Sequence, residues 1–316
     1  MLEVVALVLG ASFIQALGTA LQKREVANGF GELETRDFVL GFRRVFASLL
    51  RSRYWLLGFV IGSVGAVALV QAFSRADLSV VVPLGATSSV FTVVLGASML
   101  SERIRSSEIL AIAVVITGAI LVGVDAGSPR HAEYPTSTSL LISALAVGLS
   151  GLLILARGLW PQLLPREVAL SLAAAVQMGA GNLLIKATVE AVRAGLGAFS
   201  VTALATWQGI AARPEFWLCI ATQVAGFVLL QTAFARGRVA VIGPLMTAGN
   251  TLVSLGGAVA MLGEGVSRGR FVGAVTLLAG TLAIAWLHEP APERVRGTAP
   301  GPRASNPGAP HPTCPS

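Results

Sequence analysis

Nine stretches of this chain contain no charged side chain at all: residues 4–22, 54–74, 78–101, 109–124, 134–156, 168–185, 216–235, 239–263 and 271–287. Coiled as helices, most of them are long enough to cross the roughly 30 Å of hydrocarbon in a bilayer. A helix is also the form that satisfies its own backbone hydrogen bonds in lipid. The pattern predicts an all-α, polytopic membrane protein of about nine transmembrane helices. Composition agrees, because only 12% of the 316 residues are charged, about half the usual share. Such a chain lacks the polar surface to coat a water-soluble globule.

The formal net charge of +7 sits in the short gaps between the apolar runs. There it fixes orientation in the bilayer rather than pointing to nucleic acid. With nine spans, one face of the membrane receives 16 of the 23 Lys and Arg and the other receives 7. The positive-inside rule then puts the C-terminus in the cytoplasm and the N-terminus outside; the membrane expected is a bacterial inner membrane. Met1-Leu2-Glu3 offers no basic leader, so the first segment is expected to stay as a helix rather than be cleaved. Cys219 and Cys314 have no metal or redox spacing.

Residues 36–53 and 196–213 mix apolar side chains with arginine, and are expected to form short helices in the membrane interface. Residues 288–316 hold eight of the 15 prolines and are expected to be disordered.

The second half of the chain repeats the first. Gly18-Thr19-Ala20-Leu21-Gln22-Lys23 aligns with Gly181-Asn182-Leu183-Leu184-Ile185-Lys186. At an offset of 161, residues 65–97 match 226–258 at 11 of 33 positions, among them Phe73 with Phe234, Arg75 with Arg236, and Pro83-Leu84 with Pro244-Leu245. Glu102 then pairs with Glu264 after a one-residue shift. The organisation predicted is a first four-helix repeat over 1–128, a linking helix within 129–166, a second repeat over 167–288 and a tail over 289–316. The single linking span turns the second repeat upside down relative to the first. This 4+1+4 inverted arrangement is used by alternating-access carriers, whose substrate site lies near the midplane between the halves. A duplicated bundle that senses or scaffolds without transport is the alternative.

The phrases Val82-Pro83-Leu84-Gly85-Ala86, Leu100-Ser101-Glu102-Arg103-Ile104, Ala221-Thr222-Gln223, Gln231-Thr232-Ala233-Phe234 and Gly243-Pro244-Leu245 resemble those of the drug/metabolite transporter (DMT) superfamily, EamA-like. Each half resembles a small multidrug resistance protein, and the layout is most similar to NIPA-like magnesium transporters. The resemblance covers residues 1–288 and implies a secondary transporter of a small polar solute or a divalent cation such as Mg2+. It departs from the small multidrug resistance pattern where a glutamate is expected on helix one, since Gln15 and, in the second repeat, Met178 stand there. An amide cannot titrate. It departs from the magnesium branch at Gly62-Ser63-Val64-Gly65, where an acidic residue is expected.

The charge-free spans instead carry uncharged polar groups. Ser12, Gln15 and Thr19 recur at helical spacing on one face, Ser88 and Thr92 share another, and Thr247, Asn250 and Thr251 lie on the equivalent later helix. Gln71, Asn182, Gln223 and Gln231 add amides, and Pro83 and Pro244 remove a backbone donor at matching places. These fourteen residues form the predicted substrate pathway. For the hydroxyls the competing role is helix-to-helix hydrogen bonding. For the prolines the reading is divided between local unwinding that frees carbonyls and a harmless first-turn position. Lys23 and Lys186 are expected to snorkel to headgroups, and Glu102 and Glu264 to anchor loops. Nothing resembles a catalytic triad, a phosphate loop or a metal cluster, so no enzyme and no cofactor are expected. The partners are the lipid bilayer and the solute or cation, with a homodimer left open.

Overall fold

A computed structural model of the chain describes residues 2–29, 51–91, 94–95, 106–124, 134–160, 162, 164–234 and 239–287. These form ten helices and no strand: α1 (Leu2–Gly29), α2 (Arg53–Phe73), α3 (Leu78–Gly85), α4 (Ser106–Val124), α5 (Thr136–Leu159), α6 (Arg166–Leu196), α7 (Leu204–Ala211), α8 (Pro214–Phe234), α9 (Val239–Ala260) and α10 (Arg268–Leu287). The described part of every charge-free segment is largely helical, and α7 is additional. Five helices are long and apolar enough to span a bilayer by length and composition, namely α1, α2, α5, α6 and α8. Shorter apolar helices cover Leu78–Phe91, Ile109–Val122 and Leu245–Ala260. Residues 36–50 of the predicted interfacial helix at 36–53, the tail, Lys23's side chain, Thr92, Glu102 and Arg103 fall outside what is described.

The polarity is inside out relative to a soluble protein. Leu57, Phe59, Val60 and Val64 of α2, Ile116 and Ile120 of α4, and Leu141, Leu145, Leu152 and Leu155 of α5 are exposed. Meanwhile Lys186, Glu190, Glu215, Glu264, Asp77 and Arg270 are buried. Lipid is the solvent that accepts such an exterior.

Two local signals set the length of α6. Pro165 precedes its first turn, and Gly197, in the left-handed region at φ 73°, ends it. Its 31 residues span about 46 Å, so α6 runs well beyond the predicted 168–185. The expected interfacial helix at 196–213 is correspondingly reduced to the eight residues of α7.

Small residues let the helices approach closely. A Cβ on Gly118 would stand 2.5 Å from Leu277 N and 2.8 Å from Gly273 O, and one on Gly280 would stand 2.8 Å from Val115 N. Rising numbers in α4 meet falling numbers in α10, so these two helices, equivalent under the sequence repeat, pack antiparallel. The α1–α2 and α6–α8 seams correspond in detail. Gly65 faces Ala11 O and Gln15, while Gly226 faces Ala174 O and Met178. The alignment of Gln15 with Met178 therefore has a counterpart in space.

Hydrogen bonds gather the ends of several helices at one face of the bundle. Glu3 at the start of α1 pairs with Arg75 after α2, and Thr136 at the start of α5 donates to Glu215 at the start of α8 (2.9 Å). Lys186 in the C-terminal half of α6 reaches the end of α2. The start of α1 and the end of α6 thus share one face, although the repeat aligns these helices with each other.

Candidate functional site

The short helix α3 sits in the middle of the bundle, packed by α1, α2, α4, α6, α9 and α10. Every residue from Leu78 to Leu84 is buried. Pro83 is the sixth residue of α3, too far along to be a first-turn proline. Lacking an N–H, it leaves the preceding turn one bond short. The helix stops at Gly85, Ala86 and Thr87 tighten onto Pro83 O and Leu84 O three residues back, and helix resumes at Ser88. An interruption is present just after Pro83. At Pro244 there is none, since α9 runs unbroken through it.

The interruption is surrounded by oxygen. The Gly85 carbonyl accepts a long 3.4 Å bond from the fully buried Ser12 Oγ of α1. Thr87 Oγ1 turns back to Leu84 O (2.7 Å), and Ser89 Oγ to Ala86 O (2.7 Å). Ser88 is half-buried beside them. One turn along α1 from Ser12, the half-buried amide of Gln15 lies against Gly65 and bonds no protein group among the described residues. Thr19 donates to Gln15 O (2.9 Å), an ordinary back-bond.

A second polar cluster joins α6 to α9. Asn182 Nδ2 donates to Asn250 Oδ1 (3.0 Å) and Ser254 Oγ (3.1 Å), and Ser254 reaches Gly179 O (3.4 Å). Thr251 donates to Thr247 O (2.9 Å). Gln223 of α8 packs across Gly181, and Gln231 lies half-buried two turns further on. Of the predicted pathway residues, Ser12, Gln15, Pro83 and Ser88 therefore gather around the break, and Asn182, Thr247, Asn250 and Thr251 along the α6–α9 seam. Gln71 is engaged elsewhere, accepting Val201 N (3.0 Å) and donating to Ser74 Oγ (3.2 Å) near the end of α2. The side chain of Pro244 is not among those described.

A third feature was not predicted. The turn from α2 to α3 is gripped by ions that all belong to the second half of the chain. Lys186, fully buried, does not reach for headgroups. Its Nζ donates to Phe73 O (2.8 Å) and Ala76 O (3.0 Å) and pairs with Glu190 Oε1 at 2.8 Å. Arg193 donates to Ser74 O. Glu264 Oε1 and Oε2 accept the first amides of α3, Leu78 N and Ser79 N, each at 2.9 Å. Arg270 closes the set on Asp77 (3.3 Å), Ser79 Oγ (3.2 Å) and Gly265 O (3.3 Å). Cations thus meet the C-terminal carbonyls of α2 and a carboxylate meets the N-terminus of α3, as the helix dipoles favour. Glu264 anchors a turn, as expected, but a turn 186 residues away. The signal in the sequence was the charge just inside α6, where Lys186 and Glu190 stand four apart.

Among the described residues no three His, Cys, Asp or Glu cluster as metal ligands. Among the described residues the buried charges gather around the α2–α3 turn and at the start of α8, and the rest of the interior offers carbonyl, hydroxyl and amide oxygens. Neither a curated protein nor a solved structure matches this chain. The family model of the magnesium transporter NIPA matches residues 5–234, from the first turn of α1 to the last residue of α8. That match takes in the broken α3, Ser12, Gln15, Asn182 and the Lys186 grip, and with it the chain belongs to the NIPA magnesium transporter family.

Proposed function

We propose that the chain carries a hard divalent cation, Mg2+ first, through a membrane by alternating access between two inverted four-helix halves joined by α5. In this reading there are nine spans in a 4+1+4 order, of the drug/metabolite transporter type. The halves meet along α4–α10 and at α3–α9. The membrane is a bacterial inner membrane, and the distribution of Lys and Arg supports an N-terminus outside and a C-terminus in the cytoplasm.

The observation that carries the reading is the interruption of the buried α3 at Gly85–Thr87, with Ser12 on the freed carbonyl. Hard cations take oxygen ligands. A break in a buried helix supplies them without fixed charge, so an ion can exchange part of its water shell for carbonyl and hydroxyl dipoles and still leave. Gln15, with its uncommitted amide, and the Asn182–Asn250 pair extend the same neutral lining. The antiparallel packing of α4 against α10 supports the inverted halves, and the ionic grip on the α2–α3 turn supports one closed end.

The test is uptake by the purified chain in liposomes holding a Mg2+ indicator. Ser12→Ala and Asn250→Ala should insert normally and lower uptake severalfold; wild-type uptake in both removes these residues from the path. Flux of small polar metabolites without Mg2+ flux would replace the ion by a solute, and absence of both would leave a scaffold.

A further inference from the structure

Four carboxylates are buried among the described residues, and three are matched. Asp77 meets Arg270, Glu190 meets Lys186, and Glu264 holds two backbone amides. Glu215 is the exception. It is 4% exposed, at the second residue of α8, and its Oε1 accepts Thr136 Oγ1 at 2.9 Å, whereas its Oε2 has no partner. The nearest cation in sequence, Arg213, is turned away to Ala191 O (3.2 Å) on α6. The N-terminal dipole of α8 offsets part of the charge, but no N–H reaches Oε2. One turn beyond Thr136, on the same side of α5, Ser139 is completely buried and its Oγ also lacks a partner. Two orphaned oxygens therefore lie within about one helical turn of the Thr136–Glu215 contact between α5 and α8. A buried carboxylate left in this state is costly, and the cost disappears if a cation completes it.

We propose that the α5–α8 seam is an accessory binding site for a hard divalent cation, held by Glu215 Oε2 and Ser139 Oγ at the gripped face of the bundle and apart from the α3 break. One carboxylate, a hydroxyl and retained water suit Mg2+, which keeps several waters and uses one or two carboxylates. The site would load the ion at the bundle face before it enters the neutral interior. The choice of Mg2+ rests on the transport reading, but the site itself is measured without flux.

The experiment counts Mn2+ bound to the full chain in detergent by electron paramagnetic resonance, with Mg2+ as competitor. Wild type should hold one Mg2+-displaceable Mn2+ that Glu215→Gln loses or binds at least tenfold more weakly, and that Ser139→Ala weakens. Asn250→Ala should keep this ion. An unchanged titration in Glu215→Gln overturns the site, as does an infrared band of a protonated Glu215 that persists in saturating Mg2+. If Glu215→Gln does not fold, Ser139→Ala decides alone, and unaltered Mn2+ affinity in it overturns the site. A chain that binds this ion yet carries no Mg2+ defeats the transport reading only; one that carries Mg2+ with the same ion count in Glu215→Gln defeats the site only.

Discussion

Replacing Lys186 with methionine separates two physical pictures of the same residue. A lysine whose ammonium sits among headgroups can lose it with little effect, within about 0.5 kcal/mol, as for most surface substitutions. In the structure the ammonium is fully buried and makes three contacts: Glu190 Oε1 at 2.8 Å, Phe73 O at 2.8 Å and Ala76 O at 3.0 Å. Methionine keeps the length and apolar bulk but removes every donor. Glu190 then remains buried without the charge that faces it, and breaking such a pair from one side costs about 3–5 kcal/mol. The two carbonyls at the end of α2 lose their donor as well, so the upper part of that range is expected. The double variant Lys186→Met/Glu190→Gln removes the stranded charge and should recover about 1–3 kcal/mol, the desolvation penalty of one unsatisfied polar group or somewhat more. The assay is reversible unfolding in mixed micelles followed by circular dichroism, with all three proteins measured together. A Lys186→Met chain within about 0.5 kcal/mol of wild type would refute the buried grip, and so would a double variant no more stable than the single one.

Glu264→Gln keeps the shape of the side chain but takes the negative charge from the N-terminus of α3. It should cost about 1–2 kcal/mol, read as a lower thermal midpoint in detergent. Gly118→Ala brings a Cβ to 2.5 Å from Leu277 N, so α4 and α10 must part; a loss of about 1–3 kcal/mol is expected. Gly256→Ala, with nothing within 4 Å of its added Cβ, should instead be neutral or gain up to about 1 kcal/mol, and equal effects of the two would discredit the close α4–α10 seam. Pro83→Ala restores the N–H missing from the turn that precedes the break. It should leave the chain at least as stable while Mg2+ uptake falls severalfold, and undiminished uptake would detach the break from transport.

The helical fold was legible because charge-free runs and lipid leave few alternatives, and the duplication because Pro83, Arg75 and Gly96 recur in order as Pro244, Arg236 and Gly257. Sequence reasoning stopped α6 at Ile185 because Lys186 read as the edge of the membrane. The helix continues because Glu190, one turn on, and the carbonyls of the α2–α3 turn give that charge a home, and those carbonyls lie over a hundred residues away in sequence. The same distance hides Glu264, whose partners are backbone amides and leave no trace in side-chain pattern. Pro83 and Pro244 look equivalent in sequence, yet one helix breaks and the other does not. The difference rests on neighbours, since Gly85, Thr87 and Ser89 favour turns and local side-chain bonds, where the second repeat has Met246, Ala248 and Asn250.

For a carrier that alternates, the placement of charge has a consequence for how readily the gripped end can open. An apolar seam opened to water loses its burial energy outright, at about 25 cal/mol per Å2. A seam of ions behaves differently, because the desolvation penalty of Lys186, Glu190, Asp77, Arg270 and Glu264 is returned as water enters, and a buried pair is worth little net against full hydration. The grip is therefore sensitive to loss of a single partner and yet inexpensive to undo as a whole. Two states separated by a few kcal/mol exchange populations readily, and an ion that prefers one of them by a comparable margin is enough to drive the change. Neutral oxygens at the α3 break fit the same economy of charge. In the proposed carrier they would hold a cation through dipoles that the bundle already orients, and would leave no stranded carboxylate when the ion departs.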